Sequence, residues 1–340
     1  MTRKAPPLFR ASIRGSLSFP TTVHAKLFDS GGAPAFGAQS MTTPLRRVLV
    51  KAPGEVFGRA FDDPAHGFRH PVDLPLAQRQ HAELVAMLER LGVTVDHLVG
   101  ESQSPDLVYT FDTTLVTDRG AVVLCSGKPT RQDEGSLVEA WFRDTGIPVL
   151  GSIEPPGTVD GGDCLWLRPD LLCVGRSLRT NDGGIAQLRA LLPGVDLRVF
   201  DLAYGLGPDE CLHLLSVISP LSDDAAVVYL PLLPAGLYRL LGEQGTRLVP
   251  IPASEFATLG CNVLAVRAGV LVAAAGNEET RRSLEAIGCE VHVFEATEIG
   301  MNGSGGPTCL TLPIVRAEMR RNEIAELERP KSVLERPSGA

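Results

Sequence analysis

The chain has 340 residues, 44% of them hydrophobic, and 32 Lys and Arg against 40 Asp and Glu give it a net charge of -8. That apolar share is enough for a full core, and no apolar run is long enough to span a bilayer, so a membrane protein is not expected. The acidic balance argues against a nucleic-acid partner, which would need concentrated Lys and Arg to displace counterions.

Residues 1–43 are rich in Arg, Ser, Gly, Pro and Ala, with Asp29 as the one acid, a composition shared with transit peptides. They read as a flexible extension, because Met41-Thr42-Thr43-Pro44 looks like a natural start just before the first strand, Arg47-Val48-Leu49-Val50. The stretch from Gly54 to Val72 sets Phe57, Phe61, Gly67 and Phe68 among charges and reads as a mobile lid or a plain surface loop. A helix follows from Ala77 to Leu91 and stops at Gly92, ahead of a short strand at Val93-Thr94-Val95.

From there one unit repeats: a polar or Gly-rich lead, a strand, a tight turn, a second strand, a helix stopped by glycine and a last strand. The hairpins are Thr114–Leu124, Leu165–Val174, Val217–Leu230 and Val263–Val272, with Asp-Arg-Gly, Arg-Pro-Asp and Arg-Ala-Gly as turn signals in three of them. The helices stop at Gly92, Gly146, Gly194, Gly245 and Gly288, roughly 50 residues apart. The first unit lacks half its hairpin, and the strand after Cys309 lacks a helix, so the two chain ends complete one fifth unit. The expected organisation is α/β, a five-bladed pseudo-symmetric ββαβ propeller in a single domain over 44–325, with a flexible tail at 326–340.

Asp112, Asp160, His213, Asn262 and Cys309 hold the same place in the five units, just before the first hairpin strand. Pseudo-symmetry then gathers a cysteine, a histidine and acids on one rim, the members that thiol-based nucleophilic catalysis needs. Cys309 ends a run poor in side chains, Gly303-Ser304-Gly305-Gly306-Pro307-Thr308, which leaves a thiol open on one side. Cys211, close to His213, is a rival thiol. The seven cysteines are odd in number and contain no C-x-x-C pair, so neither a zinc site nor a disulfide framework is expected, and the setting reads as reducing and cytoplasmic. No metal and no cofactor are expected.

These features resemble the guanidine-modifying, or pentein, superfamily, which includes arginine deiminase, dimethylarginine dimethylaminohydrolase and the amidinotransferases. Pro105-Asp106-Leu107-Val108-Tyr109-Thr110-Phe111-Asp112, Val159-Asp160-Gly161-Gly162-Asp163, Val174–Asn181 and Leu212-His213-Leu214 are similar to dimethylargininase motifs, and Gly305–Cys309 is also similar to arginine deiminase. The resemblance implies Cys309 as nucleophile, His213 as general acid and base, and Asp160 as its acid partner. It further implies Asp112, Asp106 and Asp163 as substrate-binding acids, with Arg131 and Arg179 on a substrate carboxylate. Three positions depart from the pattern: Phe111 stands where dimethylargininases often carry an acid, Asp160 where arginine deiminases carry Glu, and Leu215 where they carry Asp.

The implied activity is hydrolysis of arginine or an N-methylated arginine to citrulline, with a small guanidino compound as partner and a homodimer as a candidate assembly. An amidinotransferase passing the same intermediate to an amine, an arginine dihydrolase, and a non-enzymatic binding protein on the same propeller are the alternatives.

Overall fold

In the computed structural model, residues 36–100, 102–205, 207 and 212–317 are described. Their strands form five three-stranded sheets. In chain order the first four join Thr114–Thr117, Gly120–Val123 and Val149–Ser152; Cys164–Arg168, Leu171–Arg176 and Asp196–Asp201; Ile218–Ser222, Ala225–Val228 and Arg247–Pro250; and Leu264–Arg267, Val270–Ala274 and Glu290–Phe294. Each middle strand pairs antiparallel with the first and parallel with the third. A tight turn suits the antiparallel step, and a helix carries the chain across for the parallel one.

The fifth sheet is made from both ends of the described chain. Leu312–Arg316 pairs antiparallel with Leu45–Val50, which pairs parallel with Thr94–His97. This is the same three-strand plan, closed by leftover halves as the repeat requires.

The middle strands carry continuous apolar residues buried on both faces, such as Leu171-Leu172-Cys173-Val174 and Val270-Leu271-Val272. Helices Leu74–Arg90, Glu134–Asp144, Asp182–Leu191, Ala235–Glu243 and Glu278–Ala286 turn apolar stripes onto them, with Leu84, Phe142, Leu188, Leu241 and Leu284 fully buried. Gly92, Gly146, Gly194, Gly245 and Gly288 all take positive φ just past the helix ends, the left-handed turn that a Cβ would oppose.

Residues ahead of the expected boundary at 44 are packed as well. Gly37 bridges Val315 and exchanges backbone hydrogen bonds with Ile314 and Arg316. Gln39 reaches Asp118 and Pro169, Thr42 donates to Asp223, and Met41 packs against two apolar clusters. Residues 36–43 are therefore a strap across the sheets; residues 1–35, 318–325 and the tail at 326–340 lie outside the described residues. The stretch 54–72 is also packed rather than loose. Phe57 and Phe68 meet edge to face at 5.3 Å between centroids, and the Asn302 side chain binds the backbone of Arg69 and His70. No helix among the described residues is long and apolar enough to cross a membrane.

Candidate active site

Short 3-10 turns precede three of the first hairpin strands: Thr110–Thr113, Gly161–Asp163 and Leu214–Ser216. Asp160 and His213 stand just before their turns and Asp112 is the third residue of its own, and the three turns pack against one another. The interlock depends on missing side chains. A Cβ on Gly161 would lie 2.1 Å from the Phe111 carbonyl oxygen, and one on Gly162 would lie 2.3 Å from His213 Nδ1. The fourth link is backbone, since the Phe111 N–H donates to the Cys309 carbonyl at 3.1 Å.

Asp160 is fully buried. Its Oδ1 accepts the Gly127 N–H at 3.0 Å, its Oδ2 lies 3.0 Å from His213 Nε2, and Arg179 Nη1 stands 3.6 Å from the same oxygen. Burial pushes this carboxyl up, but the His213 hydrogen bond and charge, with Arg131 and Arg179, outweigh it and hold the group well below the usual carboxylate range. Asp160 is thus an ionised anchor that fixes the imidazole. The other ring nitrogen, Nδ1, lies 3.9 Å from Asp112 Oδ1. Asp112 accepts the Gly162 N–H at 2.8 Å on Oδ1 and Arg131 Nη1 at 2.7 Å on Oδ2.

Cys309 is half-buried, whereas the five other described cysteines are buried. Its Sγ accepts a hydrogen bond from Asn262 Nδ2 at 3.2 Å. Burial and the nearby Asp112 charge push the thiol up to about 11, against the pull of Asn262, His213 and the Gly306 backbone. The rival thiol, Cys211, lies outside the described residues.

Two residues expected to contact substrate are held by the protein itself. Asp163 is fully buried, and its oxygens accept the Leu214 N–H at 3.0 Å and the Ser177 hydroxyl at 2.6 Å. It holds the residue after His213 in place. Arg131 is also buried and turned inward. It clasps Glu134 through Nε and Nη2, reaches Asp112, and donates to the carbonyls of Asp106 and Tyr109. With its donors spent this way, it braces Asp112 and is not presented to a substrate carboxylate.

Arg179 differs. Its Nη1 is buried 3.6 Å from Asp160 Oδ2 and makes no hydrogen bond among the described residues. Asp106 receives the Lys128 ammonium, which also donates to the His66 carbonyl at 2.8 Å and so ties the 54–72 stretch to the acid.

Sequence reasoning grouped Asn262 with the rim positions but assigned it no role, and it did not single out Lys128 or Glu134. The repeat position was the signal for Asn262; no spacing pattern marks the other two. Asp112, Asp160 and His213 also offer ligand atoms within 4.8 Å of one another, a set able to hold a metal ion.

The family model for arginine deiminase matches residues 101–232 and 222–316. The chain is 29% identical over 271 residues to an uncharacterized protein of Aeropyrum pernix, covering 78% of this chain and 94% of the other. It is 28% identical over 269 residues to the N(G),N(G)-dimethylarginine dimethylaminohydrolase of Streptomyces coelicolor, covering 79% and 97%. Among solved structures, the dimethylarginine dimethylaminohydrolase of Pseudomonas aeruginosa in complex with citrulline superposes with a TM-score of 0.66 at 23% identity, over 79% of this chain and 99% of that one, which establishes a shared fold. A family match across most of the described chain, on a shared fold, leads to one conclusion: this protein belongs to the arginine deiminase family of the pentein superfamily.

Proposed function

We propose that the protein hydrolyses the guanidine group of arginine or an N-methylated arginine, giving citrulline and ammonia or an amine, through a covalent intermediate on Cys309. The observation that carries this reading is the buried Asp160–His213 pair at 3.0 Å, interlocked with Asp112 and the Cys309 loop. We further propose that the five sheets are blades of one propeller, forming a single domain from residue 36 through Arg316. A free nucleophilic thiol fits a reducing compartment, which we take to be the cytoplasm.

A guanidinium carbon is a weak electrophile, stabilised by resonance and joined to poor leaving groups. Carboxylates bonded to its N–H groups fix its plane and orientation, a role for Asp112 and Asp160. The same cation, lying against Sγ, offsets the Asp112 charge that disfavours the thiolate. Cys309 passes its proton to His213, sulfur bonds to the central carbon, and His213 returns that proton to the departing nitrogen as the C–N bond breaks. Water then adds to the thiouronium carbon while His213 takes its proton. The C–S bond breaks as the second hydrogen of that water passes to sulfur, leaving the ureido product and a free thiol. Arg179 would hold the substrate carboxylate.

The test is product formation by wild type and C309S from arginine, mono- and dimethylarginine and agmatine. C309S should lose turnover by about a thousandfold or more while remaining folded. Undiminished C309S activity would move the nucleophile elsewhere. Ornithine formed only with an added amine acceptor would replace hydrolysis by amidino transfer, and efficient turnover of agmatine would remove the carboxylate role of Arg179.

A further inference from the structure

We infer that Asn262 is a catalytic residue, donating a hydrogen bond to the Cys309 sulfur that favours its thiolate. The direction of this bond is fixed by a second one. Asn262 Oδ1 accepts the Thr308 N–H at 3.1 Å, so the amide NH2 must be the end facing Sγ, and a flipped amide would set two donors against each other. Asn262 is 6% exposed, so the bond is shielded from water. Gly306 lets the cysteine loop pass over the amide, because a Cβ there would lie 2.5 Å from both Asn262 Cγ and Oδ1.

The backbone supports the same assignment. Among the described residues, the non-glycine positions with positive φ are Leu259 at 69° and Ser304 at 65°. Leu259 heads the turn that delivers Asn262, its carbonyl accepting the Asn262 N–H at 2.9 Å, and Ser304 lies in the loop that delivers Cys309. A left-handed leucine is unfavourable and persists only where the surroundings over-determine it. Both unfavourable residues flank the two halves of this one contact. The repeat agrees, since Asn262 holds the fourth-unit position whose equivalents are Asp112, Asp160, His213 and Cys309.

The charged and titratable groups facing the thiol are Asp112, His213 and Tyr109. Asp112 opposes thiolate formation, and Asn262 is the neutral side chain that counters it. The inference rests on Cys309 being the nucleophile and is independent of the substrate, so the test needs no turnover. Iodoacetamide alkylates the thiolate: an S–C bond forms, iodide leaves, and the thiol proton goes to solvent.

Labelling of Cys309 should be followed by peptide mass spectrometry across pH in wild type, N262A, N262D and N262S. Below the thiol midpoint, N262A should alkylate about tenfold more slowly at every pH, and N262D at least as slowly. N262S, which retains a donor, should recover part of the rate. A merely structural role predicts the opposite sign, because a loosened loop exposes sulfur and speeds labelling. Rates in folded N262A or N262D equal to or above wild type would overturn the inference. If neither variant folds, G306A provides the same readout by displacing the amide: slowed labelling supports the donor role, and unchanged or faster labelling overturns it.

Discussion

Asp163 is a carboxyl placed where burial costs it most. Burial raises it to about 6, above the ordinary aspartate value of 3.8, against the opposing pull of His213 and the Ser177 and Thr180 hydroxyls. A raised folded value means that the native state holds the extra proton, so this group's stability is complete below about pH 4 and is lost as pH rises through about 6. The gap corresponds to a penalty on the order of 3 kcal/mol at neutral pH. D163N keeps an acceptor for Leu214 and offers a donor to Ser177, but carries no charge. Thermal melts should place it at or above wild type at about pH 8, with the advantage shrinking by about pH 5. Equal offsets at both pH values would exclude Asp163 as the titrating group. The case also shows why its role was hidden in sequence: a motif places an acid at a strand mouth, but its partners, Ser177 and Leu214, come from other parts of the chain. Arg131 was obscured in the same way by Glu134, three residues on, which turns it inward. Asp160, Asp112, His213 and Cys309 were legible because repeat position alone brings them together.

At the scale of elements, the hairpins and helices could be read because apolar runs, turn residues and terminal glycines each carry their own signal. The 3-10 turns before the strands could not, since Thr110–Thr113, Gly161–Asp163 and Leu214–Ser216 share no local pattern and are set by packing against one another. That packing leads to a prediction. Gly162 sits where a Cβ would meet His213 Nδ1 at 2.3 Å, His213 Cγ at 2.7 Å and Asp112 Oδ1 at 3.0 Å. None of these is the loose end of a flexible chain, so G162A must displace the imidazole from Asp160. We expect turnover to fall by about a hundredfold or more, with kcat falling more than KM rises, because general acid and base function depends on placement. Circular dichroism should stay native. Unchanged kcat in G162A would mean that the histidine does not act from this position.

At the scale of the whole molecule, the fold depends on its ends. Leu312–Arg316 and Leu45–Val50, more than 260 residues apart, complete one sheet, and the strap at residues 36–43 fastens across that junction. Gly37 binds Ile314 and Arg316, Ala38 is buried in the cluster containing Leu49, Leu312 and Ile314, and Thr42 reaches Asp223 in the hairpin turn of another sheet. Among the described residues the buried Arg316 guanidinium has no carboxylate partner and is held by the Thr43 and Ala265 carbonyls. Burial lowers it to about 9, so it is sensitive to losing either one. A chain beginning at Pro44 should therefore fold with its active-site geometry intact, because the hydrogen bonds of the strap among the described residues go to Asp118, Pro169, Asp223, Ile314 and Arg316, yet lose apolar burial and the carbonyl that steadies Arg316. We expect a loss of about 2–4 kcal/mol, or about 5–10 °C in Tm, with KM unchanged below the new transition. Matched melting curves for the full chain and the Pro44 start provide the check. Identical Tm values would show that the strap contributes nothing to closure, and a raised KM would show that the junction reaches the active site after all.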